Sequence, residues 1–120
     1  MQTLEKRSSE TVRFDIDCSR LLSPGETITS VTSSIASPVT TPAITFGTPV
    51  INPSPSSYTD QYGSARTAPA GTVVQVQISG GAIASGRQVQ DYVLRFLLVT
   101  SVNPAIEATV RLKLNDTPLP

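Results

Sequence analysis

Residues 105–114 set the strongest limit on what this chain can become. Ile106, Ala108, Val110, Leu112 and Leu114 alternate without a break with Glu107, Thr109, Arg111 and Lys113. Successive side chains of an extended chain point to opposite faces, so this segment is a strand with one apolar and one polar face. Such a strand belongs in an antiparallel sheet that is wet on one side. Residues 88–100 supply its neighbour across a short turn at 101–104. Tyr92, Leu94, Phe96 and Leu98 share one face of that neighbour; Val93, Arg95, Leu97 and Val99 share the other. Both faces become apolar towards the end, which predicts cover on both sides, with a neighbouring chain as one candidate for the second.

The same period recurs upstream. Val12, Phe14, Ile16 and Cys18 alternate with Arg13, Asp15 and Asp17, and Val74, Val76 and Ile78 with Val73, Gln75 and Gln77. Residues 27–35 have high β-propensity. Ser23-Pro24-Gly25-Glu26 is a turn signal, and Leu21 and Leu22 just before it are expected to plug one end of the core. Pro38, Pro42, Pro49, Pro53 and Pro55 exclude a central strand from the middle of the chain and leave room for short edge pieces at 43–46 and 48–51. Residues 58–71 read as a long loop carrying Tyr58 and Tyr62. The expected organisation is a polar, flexible arm at 1–11, one all-β antiparallel sandwich domain at 12–115 with long Pro-rich middle loops, and a tail at 116–120. The expected core contains Phe14, Ile16, Val76, Ile78, Phe96, Leu98, Val110 and Leu112.

Composition limits the function. A chain of 120 residues suits one domain. Ser and Thr make up a quarter of it, which suits strands with polar outer faces. Nine basic and nine acidic residues give zero net charge, against the basic excess of a nucleic-acid binder. The pair Lys6–Arg7 reads as part of a solvated terminus. The start of the chain lacks the apolar stretch of a secretory leader, and no apolar run is long enough to span a bilayer, so neither export nor a membrane partner is expected.

The inventory of reactive groups is poor. With no histidine, neither a Ser-His-Asp nor a Cys-His nucleophile system can be built within the chain. The one cysteine, Cys18, excludes an internal disulfide and a Cys/His zinc site, and its place on an apolar face predicts a buried structural thiol. Asp15 and Asp17 could hold a cation or act as an acid/base pair. Their expected role is as exposed charges facing Arg95, Arg111 or Lys113 on a neighbouring strand, while Asp60 stands alone. No catalytic residue, cofactor or metal is expected. Tyr58 and Tyr62 are candidate interface anchors, because tyrosine combines a large contact area with a polar tip. Pinning on their own domain is the alternative. Leu4 and Arg66 join them as candidate contacts, since the arm at 1–11 and the loop at 58–71 are expected to touch other chains.

Several short motifs follow one another in a particular order. Val12-Arg-Phe-Asp-Ile-Asp precedes a Gly25-Glu26-Thr27-Ile28 turn. Ile78-Ser79-Gly80-Gly81 then ends a strand, and Gly86-Arg-Gln-Val-Gln-Asp-Tyr92 leads into the next. Glu107-Ala-Thr-Val-Arg-Leu112-Lys-Leu114 comes last. This order resembles the fibre-to-tail adaptor proteins of tailed phages. The resemblance implies an immunoglobulin-like β-sandwich without enzymatic activity, made in the host cytoplasm and carried in the virion. It implies other virion proteins of the tail, neck or fibre, and further copies of the chain itself, as partners. A capsid cement protein and a carbohydrate-binding or adhesive module are the alternatives, the latter disfavoured by the scarcity of aromatic residues.

Overall fold

The computed structural model of the protein describes residues 2–38, 42–59 and 62–118. Met1, Asp60 and positions 39–41, 61 and 119–120, which fall in the expected arm, loops and tail, lie outside the described residues. Among the described residues the chain is all-β, apart from a single 3-10 turn at Ser19–Leu21. Its strands are β1 (Gln2–Lys6), β2 (Val12–Asp17), β3 (Ile28–Ser37), β4 (Ile44–Phe46), β5 (Val50–Ile51), β6 (Ser56–Thr59), β7 (Ala65–Ala68), β8 (Val73–Gly80), β9 (Val89–Thr100) and β10 (Ile106–Asn115).

One sheet has the order β1-β10-β9-β3; a second has the order β2-β8-β4, with β5 also on β8. The β9–β10 hairpin anchors the first. Its register sets Ala108 opposite Phe96, Val110 opposite Leu94 and Leu112 opposite Tyr92. All six side chains are buried, so the two apolar faces coincide as their alternation requires. In the second sheet Ile16 opposes Val74 and Phe14 opposes Val76. Both sheets feed one core, and the Phe46 and Phe96 rings meet edge-to-face across it, centroids 5.8 Å apart. Of the eight expected core residues, seven are buried. Phe14 is only half-buried, because β2 is an outer strand.

Proline acts in the middle of the chain as expected. β4 and β5 are short pieces following one another along one edge of β8. Gly80 and Gly81 close β8 with φ of 75° and 90°, in the left-handed region. A Cβ on Gly81 would lie 2.6 Å from Ile44 Cδ1 and 2.9 Å from Leu114 Cδ1. These two positions require glycine for both conformation and space.

Several expectations are corrected. The expected arm is instead a strand from Gln2 to Lys6, running parallel to β10 with Leu4 opposite Leu112. The first sheet is therefore mixed, not wholly antiparallel. Gln-Thr-Leu-Glu-Lys hides this role because its second inward residue is Lys6, and a buried lysine breaks the apolar period. The expected loop at 58–71 contains most of the hairpin β6–β7, which pairs Tyr58 with Arg66. Four-residue strands with polar outward residues give too little alternation to detect. Leu21 stands 47% exposed on the 3-10 turn, and Leu22 alone of the pair packs on the core. On the outer face of β9, Leu97 and Val99 are exposed among the described residues.

Candidate functional site

β1 and β2 are outermost in their respective sheets, and they run side by side where the layers meet. The side-chain amide of Gln2 donates to the Asp15 carbonyl at 3.2 Å and ties one to the other. Between them opens a groove of about 580 Å³. Leu4, Ile16, Ala108 and Val110, all buried, lie beneath it, with half-buried Phe14 beside them. Asp15, Asp17, Arg20, Glu107 and the hairpin residues Tyr58, Tyr62 and Arg66 contribute its polar lining. The volume and the mixture of apolar base with a few polar groups suit a binding cleft.

All four candidate contact residues reach this groove: Leu4, Tyr58, Tyr62 and Arg66. They differ in what they can offer. Leu4 is 5% exposed and belongs to the core, which corrects its placement on a free arm. Tyr58 donates its hydroxyl to the Asp17 carboxylate and is thus pinned on its own domain. Tyr62 is 82% exposed, and Arg66 is also exposed. Tyr62 and Arg66 are therefore the groove residues best placed to be covered by something else.

Asp17, Asp15 and Cys18 beside the groove are each engaged within the domain. Burial pushes the Asp17 carboxyl up. The Tyr58 and Ser19 hydrogen bonds and the nearby Arg20 charge outweigh it and leave the group below its ordinary value. Ser19 N–H reaches Asp17 Oδ1 at 2.9 Å. Asp15 lies 3.7 Å from Arg13 of its own strand. Arg95 instead bonds Glu107 at 2.8 Å, so the expected cross-sheet partners of the aspartates are corrected: β2 pairs with β8 and never meets β9 or β10 edge to edge. Cys18 is buried, and burial, with the Asp17 charge nearby, pushes its thiol up to about 12. Such a thiol is not a nucleophile at neutral pH.

Three further polar clusters were hidden in the sequence, and each one joins segments. Lys6, expected in a solvated terminus, is buried. Its ammonium donates to the Arg7 carbonyl at 3.0 Å and the Gly80 carbonyl at 3.1 Å. Burial lowers its pKa, opposed by the charges of Glu10 and Asp116. Asp116 accepts from Ser8 N–H at 2.8 Å and from the Ser8 hydroxyl, while the Arg7 guanidinium donates to the Thr117 carbonyl at 3.1 Å. Asn52 is buried and accepts from Thr72 N–H at 3.0 Å and Val73 N–H at 2.9 Å. Its amide donates to the Pro69 carbonyl at 3.0 Å. Glu26, also buried, accepts from the Thr100 hydroxyl, from Ser23 N–H at 2.8 Å and from the Asn103 amide at 2.8 Å. Gly-Glu-Thr after a turn was the one signal that could have marked it. Among the described residues no group of three or more His, Cys, Asp or Glu side chains is placed to hold a metal ion.

No protein-family model matches the chain, and no curated protein matches it.

Proposed function

We propose that the protein is a non-enzymatic structural component of a bacteriophage virion, an adaptor that joins fibres or other components to the tail or neck. We further propose that its two sheets form an immunoglobulin-like sandwich. The observation that carries this reading is the placement of exposed Tyr62 and Arg66 at one groove. Tyrosine and arginine are the residue types that anchor protein interfaces, and here they sit on a hairpin beside a rigid two-sheet body. Such a body holds short protruding segments at fixed geometry, which is what a connector needs. The zero net charge favours protein partners over nucleic acid. The motifs from Val12 to Leu114, in their order, supply the link to phage adaptors.

The reading is tested on particles. Gold-labelled antibody against the chain should decorate the tail or neck of purified virions, and Tyr62→Ala should lower its incorporation while leaving the melting temperature of the free protein unchanged. Labelling spread over the shell would assign a capsid-cement role instead. Absence of the chain from purified particles would remove the virion reading altogether.

A further inference from the structure

The geometry points to a homodimer in which β2 pairs antiparallel with β2 of a second copy, joining two sheets into one. This inference stands on the edge of β2, which borders the groove described above, and it is tested apart from the role proposed for that groove.

The two larger sheets end in β1 and β3 and in β2 and β4, with the two-residue β5 beside β4 on β8, and these strands treat their edges differently. β4 has three residues and lies between Pro42 and Pro49. β3 carries register shifts near both ends and runs into Pro38. β1 ends in Lys6, whose ammonium is tied to the Gly80 carbonyl. Shortness, proline, irregular register and anchored charge are the usual means of blunting an edge. β2 is longer than β4 and regular: it pairs with β8 in unbroken register from Val12 to Asp17, without proline or glycine, and its anchored charge is confined to Asp17 at the end of the strand, which accepts from the Tyr58 hydroxyl.

The free edge of β2 also has a defined phase. Cys18 N–H bonds the Thr72 carbonyl at 2.9 Å on the β8 side, whereas the Asp15 carbonyl faces the other way, towards Gln2. Along a strand these directions alternate, so Arg13, Asp15 and Asp17 turn their backbone groups outward. Two copies of β2 can bond only with outward residues opposite one another. With Arg13 opposite Arg13, or with Asp15 opposite Asp15 or Asp17, like charges face each other. The register with Phe14 on the two-fold axis sets Arg13 opposite Asp15 of the second copy, twice by symmetry. It alone opposes no like charges.

That register also suits the side chains below. Phe14, half-buried in the single chain, meets its own twin, and Val12 meets Ile16. Opposed pairs of this kind, ionic above and apolar below, are the unit of stabilisation between antiparallel strands. An isologous contact needs such self-complementarity. The Gln2 side chain gives up one hydrogen bond to the Asp15 carbonyl, and the backbone of the second strand replaces it.

Sedimentation equilibrium on the intact protein tests the inference. The parent chain should reach twice its 12.7 kDa mass at high concentration. Arg13→Asp and Asp15→Arg each oppose like charges at both pairs, and each should self-associate more than about tenfold more weakly. Mixed together, the two variants restore opposite charges at both positions and should form a heterodimer. Hydrogen exchange gives a readout without any substitution: peptides covering 12–17 should gain protection as the parent chain is concentrated. A parent chain that stays monomeric to about 1 mM overturns the inference. So does a dimer that survives both variants unchanged, a mixture that fails to associate, or protection that appears elsewhere and not at 12–17.

Discussion

Leu4→Ala decides whether the N-terminal segment is an arm or part of the body. Leu4 lies on β1, opposite Leu112 of β10, and is 5% exposed within the core shared by both sheets. The substitution removes three buried carbons, and at about 0.8 kcal/mol for each the loss of transfer energy is about 2.4 kcal/mol. A sealed site would add a cavity penalty, and deep leucine-to-alanine changes reach about 5 kcal/mol. Leu4 borders the groove, where half-buried Phe14 can shift and water can enter, so the cavity contribution is small and the expected loss stays near about 2.5 kcal/mol. For a domain of this size that corresponds to a fall in Tm of about 10 °C. The assay is urea denaturation followed by circular dichroism, with Glu5→Ala as the control on the exposed face of the same strand, expected to cost less than about 0.5 kcal/mol. If β1 were a loose arm, both changes would fall within that smaller figure. Equal, small losses from Leu4→Ala and Glu5→Ala would refute the placement of β1.

Asn52→Ala should cost about 3 kcal/mol in the same assay, because it strips the acceptor from two buried N–H groups, those of Thr72 and Val73. Gly81→Ala should cost about 3 kcal/mol, combining a left-handed backbone with the close approach of Ile44 and Leu114. Gly25→Ala, at a similar φ but with nothing within 4 Å of the added carbon, should cost only about 1–2 kcal/mol; equal melting losses would show that crowding at Gly81 is irrelevant. Acid should destabilise the fold. The Thr100 hydroxyl, with Ser23 and Asn103, holds Glu26 below its ordinary 4.5, and the Ser8 hydroxyl and N–H hold Asp116 below 3.8. Carboxyls lowered in the folded state contribute stability that is fully present above those ordinary values and is lost as pH falls through the folded ones. A plot of Tm against pH should therefore drop on the acid side of pH 4.5, and Glu26→Gln should flatten the drop; an unchanged slope would contradict the role given to Glu26.

The strands that carry the core were legible because their alternation is dictated by burial of one face. β2, β8, β9 and β10 follow the period that residues 12–18, 72–79, 88–100 and 105–114 display, and the buried faces are the apolar ones read from them. Proline likewise confined β4 and β5 to an edge, since a residue without an N–H cannot serve a central ladder. The sequence alone therefore determined an all-β chain, most of its core and the burial of Cys18.

Tertiary structure decided everything that depends on which segments meet. β1 has one apolar inward residue, and its second inward position is a lysine that becomes burial-compatible only when the Arg7 and Gly80 carbonyls surround its ammonium. Those carbonyls lie on different parts of the chain, one next to Lys6 and one at the end of β8, so no local pattern could reveal the arrangement. Glu26 and Asn52 are buried for the same reason, their partners coming from Thr100 and Asn103 or from Pro69 to Val73. The groove has the same origin. Tyr58, Tyr62, Arg66 and Leu4 were singled out in the sequence as contacts, but nothing local places them together. They share one cleft only because β1 joins β10 while β2 joins β8, which sets the outer strands of two layers side by side. Period in a sequence reports the direction each side chain faces; hydrogen bonding and packing between distant segments decide what each face meets.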